Sequence, residues 1–273
     1  MLHFNKRLNK RPVLAAGFTA VLLFGAVACG SNNDDAKPSD NNDSVPSAEG
    51  KLTVCSDIPY KPMEFEGPGP RGLKYTGFDI DLLDAMAQTM GDKLAVIDVD
   101  FDGILGNLST GTCDVVGSSL TINAERKAQV DFTKAYFDAD QSLLVKTDSG
   151  IKSLGDLAGK TIGVQSKTTG ETYANKNTPA GATIKSFDDT DGLFGALESG
   201  DIEGILQDLP VNAGRVADDP SVQVAETFKT DEQYGFAVEK GSDLRAKLDT
   251  ALEAVHSDGT YDKLYNKYFP KAG

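Results

Sequence analysis

The chain has 273 residues, of which 27 are Lys or Arg and 41 are Asp or Glu, for a formal net charge of −14. So acidic a balance leaves no basic stripe for nucleic acid and gives a largely solvated surface that mildly favours cationic ligands. With two histidines, His3 and His256, and three cysteines, neither a histidine-based triad nor a Cys/His zinc centre is expected, and no metal or cofactor is implied.

Lys6, Arg7, Lys10 and Arg11 precede an apolar run from Val13 to Ala28 that ends in small residues. This is the pattern of an export signal, too short for an assured membrane span. Residues 1–28 are therefore expected to leave, which takes four positive charges with them and brings −14 to −18. Ala26-Val27-Ala28-Cys29-Gly30 resembles a bacterial lipobox, with Ala26 where Leu is usual. On that reading Cys29 is lipidated and anchors the protein on the outer side of a cell membrane; an ordinary secretory signal or an uncleaved anchor is the rival. Residues 29–50 are rich in Asn, Asp, Ser and Pro, bury too little to fold, and read as a disordered tether. The remaining body of about 223 residues suits one or two domains with a sizeable core.

Within the body, Leu52–Cys55 reads as a strand and Asp79–Met90 as a helix with Leu83, Met86, Ala87 and Met90 on one face. A strand at Leu94–Val99, a helix at Asp102–Ser109 and a strand at Asp114–Ser118 follow. After Asp140 come extended Ser142–Val145, strand Thr161–Val164, helix Gly170–Asn177, strand Thr183–Phe187 and helix Gly192–Ser199. Strand Gly204–Leu206, helix Leu209–Val216, extended Tyr234–Val238 and helices Leu244–His256 and Tyr261–Tyr268 complete the chain. Strands alternating with helices argue for parallel α/β sheets, and the number of units for two lobes. Gly67-Pro-Gly-Pro-Arg-Gly72 matches a dinucleotide-binding spacing, but two prolines interrupt it and no helix follows, so it reads as a hairpin turn. Gly155–Thr161 is one residue short of a phosphate loop and precedes a strand, so it too reads as a turn.

Arg126 is the most pointed residue. Asn123 is placed as a helix N-cap, which puts Arg126 in the first turn, where the helix dipole disfavours a cation. Either it is surface decoration or it holds an anion, and the fork of a guanidinium suits a carboxylate. Ser118, Ser119 and Thr121 stand just before it. Cys55 and Cys113 would share an oxidising compartment, where a disulfide is allowed. If Asp57 lies beside Ser119 on parallel strands, the two cysteines are offset by about four positions, roughly 13 Å, beyond reach unless the register differs.

Several segments together resemble family 3 of the bacterial solute-binding proteins of amino-acid ABC importers. They are Lys51–Phe65 with its aromatic loop, Gly77–Ala87, Phe101-Asp-Gly-Ile-Leu105, the Ser118–Arg126 stretch, Val130-Asp-Phe-Thr133 and Asp258–Phe269, in the family's order. The resemblance covers the chain from residue 51. It implies a type II periplasmic-binding-protein fold, two α/β lobes joined by two crossing strands, with 51–138 and 236–273 in one lobe and 139–235 in the other.

Carried over by position, Arg126 grips the α-carboxylate of a free amino acid, helped by the N–H groups of Thr121 and Thr169. The Ser119 carbonyl, the Thr121 hydroxyl and Asp208 hold the α-ammonium. Tyr60 and Phe101 flank the ligand side chain, Asp57 and Gln165 read it, and Thr168 with Thr169 presents the second-lobe loop. Lys167 departs from the family, where Gly is frequent, and puts the path of that loop in question. Local alternatives stand beside each: Asp57 as a turn cap before Pro59, Tyr60 and Phe101 as core aromatics, Asp208 as a helix N-cap. An acid beside two aromatic faces suits arginine, lysine or histidine, with glutamine open. The resemblance implies no enzyme, no cofactor, a monomer, and an ABC permease as partner. The alternatives are a cyclohexadienyl dehydratase-like enzyme on the same fold, or a ligand-sensing receptor module.

Overall fold

The structure, a computed structural model, describes residues 50–270. The expected signal, the tether up to residue 49 and Cys29 lie outside them. No helix among the described residues is long and apolar enough to cross a membrane. In chain order the elements are β1 (Lys51–Ser56), β2 (Phe65–Glu66), β3 (Tyr75–Thr76), α1 (Phe78–Met90), β4 (Lys93–Asp98), α2 (Gly106–Ser109), β5 (Val115–Val116), α3 (Ala124–Gln129), β6 (Val130–Phe132) and β7 (Phe137–Asp138). They continue with β8 (Gln141–Lys146), β9 (Thr161–Gln165), α4 (Thr169–Asn177), β10 (Thr183–Phe187), α5 (Thr190–Ser199), β11 (Gly204–Asp208), α6 (Leu209–Asp218), β12 (Val222–Phe228), β13 (Gln233–Tyr234), β14 (Ala237–Glu239), α7 (Leu244–Ser257) and α8 (Thr260–Tyr268).

Two five-stranded sheets organise the body, ordered β4-β1-β5-β14-β6 and β10-β9-β11-β8-β12. Both are mixed, where the alternation alone predicts parallel sheets. β1 runs parallel to β4 and β5, while β14 is antiparallel to β5 and β6. β9 runs parallel to β10 and β11, while β8 is antiparallel to β11 and β12. The reversed strands are those entered from the other sheet. β8 follows β7 and β14 follows β13, and β7 and β13 pair with Asp138 beside Gln233. A chain arriving at the carboxyl edge of a parallel sheet can only run back through it.

α1 drives Phe78, Leu82, Leu83 and Met86 into the largest apolar cluster, with Leu52, Val54 and Val115 of the first sheet and Leu248 and Leu252 of α7. Each such side chain contributes roughly 1.5–3 kcal/mol on burial. The helix begins at Gly77, at φ 128, where an added Cβ would lie 2.1 Å from the Met63 carbonyl oxygen, so the chain can enter α1 only through glycine. The expected helix at 102–109 contracts to α2, since Gly103 turns the chain at φ 85. β2 and β3 pair as a hairpin around the Gly67–Gly72 segment.

Cys55 and Cys113 form a disulfide with Cα atoms 5.7 Å apart, which corrects the distance expected from the sequence. Val116, not Gly117, lies beside Cys55. Cys113 also stands outside the strand, which starts only at Val115. The chain bends at Asp114, whose carboxylate accepts the Thr53 amide at 2.8 Å, and the bend removes the remaining offset.

Candidate functional site

The carboxyl ends of β1, β4, β5, β9 and β11 open on one narrow cavity, the place where α/β sheets carry ligands. All ten residues singled out from the sequence line it, with Ser118 added. Asp57, Tyr60, Phe101, Ser119, Thr121 and Arg126 come from the side of the first sheet. Gln165, Thr168, Thr169 and Asp208 come from the side of the second.

Asn123 caps α3, its Oδ1 accepting the Arg126 amide at 2.8 Å, so Arg126 is in the first turn. Arg126 is 9% exposed, and its side chain turns inward. Nη1 donates to the Thr121 carbonyl at 3.0 Å and Nη2 to the Lys167 carbonyl at 3.2 Å, while the Phe101 ring lies 5.4 Å from Cζ. Burial works against the guanidinium charge, and Asp208 and Glu232 favour it. Among the described residues Arg126 has no ion-pair partner, and a buried cation served only by carbonyls invites an anion.

Asp208 ends β11. It stands at the N-cap of α6, yet its side chain caps no amide there. Its carboxylate instead accepts from Gln141 Nε2 and, at 2.5 Å, from the Tyr234 hydroxyl; the Tyr60 hydroxyl is a further partner. Burial raises its carboxyl to about 6. Asp57 follows β1 and accepts Gln165 Nε2 at 2.7 Å. Burial first, then the charges of Asp98, Asp100 and Asp189, raise it to about 7. An acid surrounded by acids is an acceptor for a cation.

The two sides meet through side chains. The Thr121 and Thr169 hydroxyls are 3.3 Å apart. Thr169 donates to Glu232 Oε2 at 3.0 Å, which also accepts Gln141 Nε2 at 2.8 Å. Thr168 caps α4 by accepting the Glu171 amide. Lys167 sits at φ 61, a conformation that favours glycine, so the loop reaches Arg126 through a lysine in a glycine's posture. Sequence reasoning missed Gln141, Glu232 and Tyr234. A polar residue at the head of a strand whose centre, Leu143–Val145, is apolar could have flagged Gln141; nothing local marks Glu232. Among the described residues no group of three or more His, Cys, Asp or Glu is arranged to hold a metal ion.

The family model for bacterial extracellular solute-binding proteins, family 3, matches residues 52–271. The arginine-binding extracellular protein ArtP of Bacillus subtilis (strain 168) is 31% identical over 254 residues, 92% of this chain and 94% of the relative. A solved ancestral arginine-binding protein bound to arginine superposes with a TM-score of 0.73 at 41% identity, over 81% of this chain and 98% of the other. The structure of an ancestral arginine-binding protein bound to glutamine gives a TM-score of 0.75 at 40% identity, over 82% and 100%.

Proposed function

The chain belongs to family 3 of the bacterial extracellular solute-binding proteins, and we propose that it is the extracytoplasmic substrate-binding component of an ABC importer for arginine, lysine, histidine or glutamine. The observation that carries this reading is one cavity holding Arg126, bonded only to carbonyls, together with the buried carboxylates of Asp57 and Asp208. Three charges answer the three ends of a basic amino acid. Arg126 takes the α-carboxylate. Asp208, the Thr121 hydroxyl and the Ser119 carbonyl take the α-ammonium. Asp57 and Gln165 meet the far end, with Tyr60 and Phe101 against its flanks and Thr168 and Thr169 closing the second side. The acids around Asp57 weight the choice toward a cationic side chain.

Residues 51–138 and 236–273 form one lobe of the clamp and 139–235 the other. The ligand's two charged ends need groups from both, so the closed arrangement binds more tightly and closure follows from that difference. Each anchor contributes roughly 1.5–3 kcal/mol. Cys29 carries a lipid that holds the monomer on the membrane beside its permease. The protein binds without catalysing.

Thermal melting in the presence of each of the twenty amino acids tests the reading. One at 100-fold above its dissociation constant adds about 2.7 kcal/mol. Flat melting curves with all twenty sink it, and turnover of prephenate or arogenate replaces it with the dehydratase alternative.

A further inference from the structure

Two carboxylates that line no part of the cavity converge beneath it. Glu64 and Asp79 are fully buried. Glu64 Oε1 accepts the Ser118 hydroxyl at 3.3 Å and Oε2 the Ser119 hydroxyl at 3.2 Å. Ser118 Oγ in turn accepts the Asp57 amide at 2.9 Å. The Glu64 main chain bridges Tyr60, whose N–H donates to the Glu64 carbonyl at 2.7 Å. From α1, Asp79 Oδ2 accepts the Ser119 amide at 2.9 Å and the Tyr136 hydroxyl at 2.6 Å. Asp79 Oδ1 has no hydrogen-bond partner among the described residues. Ser119 itself sits at φ 49, a posture a serine keeps only where its neighbours fix it.

The groups whose charge bears on Glu64 are Asp79 and Asp57, with Tyr60 and Tyr136 beside it; none is a cation. Burying a carboxylate in such company is costly, and an apolar side chain would fill the same space more cheaply. The cost falls where three walls of the cavity join.

We propose that Glu64 is a positioning residue for ligand binding. One carboxylate holds Asp57 through Ser118, holds the Ser119 main chain through its hydroxyl and, by its own backbone, holds Tyr60. The side-chain reader, an ammonium acceptor and an aromatic face are thereby set in one geometry. The proposal rests on the functional reading above. Burial and the neighbouring Asp79 push the Glu64 carboxyl well upward, and burial raises Asp79 to about 7. Glutamine keeps the shape and hydrogen-bonding reach of the side chain without its charge, and the serine hydroxyls can rotate to meet its one acceptor and one donor.

Calorimetric titration with L-arginine tests this, or with lysine, histidine or glutamine if one of those gives the larger thermal shift. Wild type, Glu64→Ala and Glu64→Gln are compared, with ligand-free melting alongside. Glu64→Ala is expected to raise Kd at least about tenfold, and Glu64→Gln to restore it to within about threefold of wild type. A lower melting point with unchanged Kd in Glu64→Ala assigns a structural role only and overturns the proposal, as does equal weakening in both variants. Should Glu64→Ala lose its fold, Ser118→Ala and Ser119→Ala cut the same bonds from the other end; wild-type Kd in both overturns the proposal. A wild type deaf to all four amino acids overturns the functional reading and this proposal together. A binding wild type with an indifferent Glu64→Ala overturns this proposal alone.

Discussion

Replacing Asp57 by asparagine separates what the site costs from what it does. Asp57 is 8% exposed, and the oxygen that accepts Gln165 survives the substitution. Its carboxyl is raised from 3.8 to about 7, chiefly by burial. The folded protein thus keeps a proton that the unfolded chain releases near pH 4. The group's contribution is fully present below about pH 4 and is lost as pH rises toward about 7. The shift of about three units corresponds to a penalty of at most about 4 kcal/mol above about pH 7. Asp57→Asn removes that penalty. Without ligand the variant is expected to melt higher than wild type at about pH 8, by roughly 2–4 °C per kcal/mol for a chain of this size. At about pH 4, where the folded acid is already neutral, the two should melt within a degree or two. Adding L-arginine at about pH 8 is expected to reverse the ranking, because only wild type offers the side chain a counter-charge. Thermal melts at both pH values, with and without arginine, measure all of this. Destabilisation by Asp57→Asn at high pH, or equal stabilisation at both, refutes the buried-charge argument. An arginine shift as large as that of wild type refutes its role as reader.

Other substitutions probe the remaining links. Arg126→Ala should leave ligand-free melting nearly unchanged and weaken amino-acid binding by about 10- to 200-fold, the equivalent of one charge-assisted anchor; tight binding by this variant in a titration removes the carboxylate assignment. Cys113→Ser opens a loop whose ends are 58 residues apart and should lower stability by about 4 kcal/mol in denaturant melts; coincident curves with and without reductant would contradict the bond. Gly77→Ala forces a Cβ against the Met63 carbonyl at φ 128 and should cost at least about 2 kcal/mol, read by the same melts.

Much of the framework was legible because it is written in local patterns. The Asn123 cap, the apolar face of α1 and the turn around Gly67–Gly72 follow from residues within a few positions of one another. β12 escaped because its register shifts between Val224 and Glu226, which breaks the alternation that marks a strand. The disulfide was misjudged by a register one residue off and by a bend at Asp114, and neither is a property of local sequence. The cavity-lining residues were reached through the resemblance to family 3, whose segments match in order and spacing across the whole chain. Glu232 and Tyr234 were not, because only the crossing of the two segments β7 and β13 brings them to Asp208 and Thr169. Glu64 is an acid among apolar neighbours, and it acquires meaning only once Ser118 and Ser119 fold over it.

The central claim is that one amino acid spans Arg126 and Asp208. The crystal structure of the protein with whichever amino acid raises its melting point most tests this directly. The expected result has the α-carboxylate within about 3 Å of the Arg126 guanidinium and the α-ammonium equally close to the Asp208 carboxylate. A ligand bound in the reverse orientation, or outside the cavity, contradicts the account.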